Sequence, residues 1–152
     1  MLYLNSLMAS LHHIAAFLLT ACLIYEFVVF QRSLTVSEAR RLQRVDMGYG
    51  ISSGVLLVAG LLRVFLFEKG ASFYAANPLF WVKMGLFALV GLLSIYPTIR
   101  YLKWSQSLKE NRSPEISEDE HKRIRLILNL EILGIVLILF AAPAMARAIG
   151  MN

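Results

Sequence analysis

A chain of 152 residues has the length of one domain, but 58% of them are hydrophobic and only 16% charged, against about 45–50% and about 25% in soluble domains. With a mean hydropathy of +0.63, this composition excludes an ordinary soluble enzyme. The net charge of +5 is no nucleic-acid footprint, since it comes largely from basic residues in two loops. The single cysteine, Cys22, lies inside an apolar run, which excludes an internal disulfide and a thiolate metal cluster.

The first apolar run extends from about Leu7 to Phe30, with Asn5 or Ser6 as its cap and only His12, His13 and Glu26 interrupting it. It has no basic leader and exceeds the usual length of a signal-peptide core, so it reads as an uncleaved helix. Gln31 to Asp46 is polar and basic. Thr35-Val36-Ser37-Glu38 has capping-box spacing, which starts the second helix near Val36, ahead of its membrane part at about Met47–Phe67. Gly50 and Gly54 stand four apart on that span, with Ser53 and Gly60 nearby. Small residues at this spacing permit close helix approach in lipid. They predict a contact inside the bundle, with a homo-oligomer through the same face as the alternative.

Glu68 to Ala76 reads as a short loop with Gly70 as a helix stop. The third span then opens on Asn77 as cap and Pro78 at the first helical position. From Leu79 to Ile99 its only charge is Lys83, so the run suffices to cross roughly 30 Å of hydrocarbon. Pro97 inside it predicts a kink. Ser105 to Glu120 is the one strongly polar stretch, and Ser117-Glu118-Asp119-Glu120 is a second capping box. The fourth span, about Leu126 to Ala146, embeds Asn129 and Glu131.

The expected fold is therefore an all-α, polytopic four-helix bundle forming a single transmembrane domain, with the lipid bilayer as its first partner. Arg32, Arg40, Arg41 and Arg44 between spans one and two, and Arg100 through Arg125 between spans three and four, make both loops cytoplasmic. Both termini then face the outer, periplasmic side of a bacterial inner membrane.

This topology sorts the intramembrane polar residues into two layers. His12, His13, Arg63 and Lys83 share the outer layer, on three different helices. Glu26, Tyr49, Tyr96, Asn129 and Glu131 share the inner one, near Arg44, Asp46, Arg100 and Arg125. Ionisable groups at this depth are costly, which makes them functional candidates. The outer set predicts one cavity that would suit a metal or an anionic guest, with His12 or His13 as the ligand. For Arg63 and Lys83 the plain alternative is snorkelling toward the interface. Glu26 and Glu131 are expected to pair with the flanking arginines, in preference to forming a proton path.

Asn77-Pro78, Trp81, Lys83 and Ser94-Ile95-Tyr96-Pro97-Thr98 resemble an uncharacterised family of four-helix bacterial membrane proteins. More remotely, the layout is similar to the small membrane protoporphyrinogen oxidases and the copper-resistance membrane proteins. The oxidase likeness lies in a helix-one histidine, here His12 or His13, and a helix-three lysine, here Lys83. It implies haem b on that histidine and oxidoreductase chemistry. The oxidases carry a further histidine where this chain has Tyr96-Pro97, so ligation would be single or would use Met84 or Met145. A copper or small-solute transporter is the alternative, from the Met8/His12 spacing. A non-catalytic membrane scaffold is the third reading, because phosphate loops, nucleophile elbows and zinc-protease signatures are absent from the sequence.

Overall fold

The computed structural model describes residues 2–67 and 70–147 and, within them, is all-helical. Helix α1 is Leu2–Val29 and α2 is Val36–Leu62, continued by a π-helical turn at Arg63–Phe67. A short α3 (Ala71–Ala76) precedes α4 (Pro78–Lys103). A single turn, α5 (Ser105–Lys109), leads to α6 (Glu118–Ala146). The four long helices are each long and apolar enough to cross a membrane.

The helix starts follow local chemistry. Thr35 accepts the Glu38 amide at 3.3 Å while the Glu38 carboxylate accepts the Thr35 amide at 2.8 Å, a complete capping box. At Ser117 only half of that box forms. The Ser117 hydroxyl accepts the Glu120 amide at 3.2 Å, but the Glu120 side chain turns away to pair with Arg100. Asn77 accepts the Leu79 amide at 3.0 Å and Pro78 takes the first helical position. Its amide nitrogen also donates to Met145 O at 3.1 Å, so one fully buried side chain ties α4 to the end of α6.

Four expectations are corrected here. Helix α1 starts before Asn5, which lies inside it and donates to Phe67 O at 3.3 Å. Residues 71–76, expected as loop, form a helical turn because Gly70, at φ +88°, reverses the chain and lets it re-coil; Glu68 and Lys69 lie outside the described residues. The polar stretch after Trp104 likewise holds a turn of helix, anchored by buried Leu108. Finally, Gly50 and Gly54 do not make a contact inside the bundle. Both are exposed, and a Cβ on either would meet nothing within 4 Å.

The close approaches occur at other glycines. Gly48 faces Cys22 Sγ, Gly60 faces the His12 ring, and a Cβ on Gly134 would run into the Val90 side chain. These contacts pair α1 with α2 and α4 with α6. Thinner contacts of α1 with α6 and of α2 with α4 close the bundle, and across one diagonal Tyr49 of α2 reaches Glu131 of α6 through its side chain.

Packing is unequal along the bundle axis. At the end where residues 30–35 and 104–117 connect the helices, Phe30, Leu34, Leu42, Tyr101, Trp104, Leu108 and Ile124 form a continuous buried cluster. We call this the basic end. Toward the opposite, termini end the buried apolar residues become sparse.

Candidate functional site

At the termini end the helices leave a cavity of about 460 Å³ between them. That lies within the usual range for small-molecule sites, about 300–1,000 Å³. His12, His13, Arg63 and Lys83 all line it, so the residues assigned to one layer by depth are also neighbours in space. Apart from Tyr74 the rest of the wall is apolar, with Leu56, Phe80, Phe87 and Ile138 among it. Two thioethers, Met84 and Met145, complete it.

Each polar group is placed by its own helix. His12, half-buried, leans from α1 onto α2, where the bare backbone of Gly60 admits the ring: an added Cβ would stand 3.1 Å from its Cε1. Its Nδ1 lies 3.2 Å from Leu56 O. A carbonyl only accepts, so this contact puts the proton on Nδ1 and leaves the Nε2 lone pair for another partner. His13 is more exposed and stands edge-on to His12, with ring centroids 6.0 Å apart. The two rings diverge as adjacent helical residues must, about 100° apart.

Arg63 sits where α2 passes into its π-helical turn, a feature that sequence periodicity does not reveal. Such turns re-aim side chains and are frequent at functional sites. Lys83 extends from the second turn of α4 and is half-buried; among the described residues it has no hydrogen-bond or ion-pair partner. An ammonium at a largely apolar wall favours a carboxylate or phosphate over a bare metal cation.

The inner-layer residues are distributed differently from the expectation. Glu26 and Glu131 are buried, at 3% and 2% exposure, but among the described residues neither pairs with an arginine. The arginines turn to carbonyls and to other acids instead. Arg125 donates to Phe27 O and stacks over the Phe27 ring, Arg40 donates to Leu108 O, and Arg100 pairs with Glu120. Asn129 leaves the layer altogether: it is exposed on the outside of α6 and donates back to Arg125 O at 2.7 Å. Tyr49 joins the layer by donating to Glu131 Oε1 at 3.3 Å, and Tyr96 is half-buried on α4. Asp46, considered only as a flanking charge, is a full member, buried and accepting from Thr98 at 2.8 Å.

The fold and the cavity together define a small polytopic membrane protein with a cationic recess in one half of its bundle. The chain belongs to the family described as "Predicted membrane protein (DUF2214)", whose model matches residues 4–150. No curated protein and no solved structure matches it.

Proposed function

We propose that this membrane protein holds an amphipathic anion in the cavity at its termini end, with haem b or a related porphyrin carboxylate as the guest. The observation that carries the reading is the meeting of Lys83, Arg63 and His12, from three helices, on one otherwise apolar wall. An apolar body would fill the space against Leu56, Phe80 and Phe87, and a carboxylate would pair with Lys83, which has no partner among the described residues.

The residues present would suit haem, with His12 as the side chain that would hold it. His12 presents Nε2 while Leu56 O fixes the opposite nitrogen, the arrangement by which ligating histidines are usually oriented. Met84 or Met145 offers a thioether from the same wall, and Lys83 would hold a propionate beside Arg63. When bound, haem would supply one-electron redox chemistry. The same cations make a bare cuprous ion the poorer guest, although His12 and the thioethers are soft enough for it. In this reading the basic end faces the cytoplasm and the cavity opens toward the outer side.

Titration of the purified protein with haem tests the reading. A Soret band should appear at stoichiometric haem, His12→Ala should remove the ligand-dependent part of the spectrum, and Lys83→Met should weaken binding by roughly tenfold, the loss of one charge-assisted contact. A protein that binds neither haem nor metal-free porphyrin carboxylate has a different function.

A further inference from the structure

The basic end holds a second set of ionisable groups that the cavity does not use. Glu26 of α1, Asp46 of α2 and Glu131 of α6 are 3%, 7% and 2% exposed. Their partners are hydroxyls rather than cations: Tyr49 donates to Glu131 and Thr98 to Asp46. Glu26 Oε1 is buried with no hydrogen-bond partner among the described residues. An independent observation comes from the fourth long helix. Tyr101 of α4, one turn from the Thr98 that holds Asp46, is 0% exposed, and its hydroxyl also lacks a partner among the described residues.

The surrounding charges do not compensate the set. On α6, Arg125 is committed to Phe27 O and the Phe27 ring. On α4, Arg100 is paired with Glu120, and Tyr96 lies beside that arginine. On α2, Arg40 and Arg44 bond to the carbonyls of Leu108 and Arg40. His121 stacks on Phe30, with centroids 5.4 Å apart, and Cys22 lies one turn from Glu26 on α1. Three ionised carboxylates in such a setting would each lose hydration and repel the other two. A carboxyl that keeps its proton avoids both costs.

We infer that Glu26, Asp46, Glu131 and Tyr101 form a proton-binding site inside the membrane, next to the basic connections, which holds at least one carboxyl proton at neutral pH. Glu26 is the group that keeps it. Asp46 and Glu131 each accept a hydroxyl hydrogen bond that suits a carboxylate, whereas the buried Oε1 of Glu26 has no donor among the described residues. The site is independent of any guest in the cavity.

Infrared spectroscopy of the full chain in lipid vesicles tests this. Wild-type protein at neutral pH should show a carboxylic-acid carbonyl band that Glu26→Gln removes. The band should fade by up to tenfold per pH unit above its midpoint. Glu131→Gln should move that midpoint to lower pH, because one like charge is gone. Should Glu26→Gln fail to fold, the wild-type band and its displacement in Glu131→Gln carry the test. Absence of the band in folded wild-type protein overturns the proposal. So does its loss on adding sodium at constant pH and ionic strength, which would make this a metal-cation site.

Discussion

The two halves of the bundle solve the same problem in opposite ways. At the termini end, cations line an open recess and the helices stand apart. At the basic end, acids are sealed in a core closed by Phe30, Tyr101, Trp104 and Leu108. Cross-helix ties reinforce the closed half: Gln43 donates to Tyr101 O at 2.6 Å and to Ser105 Oγ at 3.1 Å, and Thr98 holds Asp46. A charged wall is tolerable where water or a guest can reach it. A sealed one has to be neutralised from within, by hydroxyls and protons. One helix, α1, carries both solutions, His12 in the open half and Glu26 in the closed half, roughly 20 Å apart at 1.5 Å per residue.

Substitutions along the axis can break or sharpen this contrast. The largest effect is expected at Gly134→Leu, where α4 and α6 touch and a Cβ would collide with Val90. Overpacking there should lower stability by about 3 kcal/mol, the upper end for a tight interface, and thermal unfolding in detergent reads it. A wild-type melting temperature would mean that the two helices separate freely. Asn77→Ala removes the α4 cap and the tie to Met145 O together, at the mouth of the open half. A loss of about 1–2 kcal/mol is expected in the same assay. The cavity should loosen with it, seen as faster amide exchange in residues 79–82 while α2 near Leu42 stays protected. Gly50→Leu with Gly54→Leu should do least. Both positions face away from the bundle, so the monomer should stay within about 0.5 kcal/mol of wild type. A large loss would place a second copy of the chain against that face.

Much of this arrangement was legible in the residues. Thr35, Asn77 and Pro78 announce their helix starts because capping is local chemistry. Depth counted from the helix ends put His12, His13, Arg63 and Lys83 at one height, and they line one cavity, because a straight helix converts residue number into height. Rotation about the helix axis was not legible. On a span that is apolar on every side, no polar face tells the interior from lipid. Gly50 and Gly54 therefore passed for the packed face when Gly48, Gly60 and Gly134 hold that role, and Asn129 passed for a member of the inner layer. The expected arginine pairs of Glu26 and Glu131 failed for another reason. A guanidinium has several donors, and nearby carbonyls and Glu120 satisfied them first.

The seat of the His12 ring on Gly60 also bears on how the chain assembles. Transmembrane helices form separately and then meet, and most apolar faces allow them to slide by a turn with little change in energy. A flat ring that fits only where a neighbour has no side chain acts as a key in a keyway. Sliding α1 by one turn in either direction would carry the imidazole from Gly60 to Leu56 or Val64, where it meets a branched side chain instead of bare backbone. The residue offered as the ligand is thus also the one that sets the register of the first hairpin, and a chain that pairs α1 and α2 wrongly cannot present it.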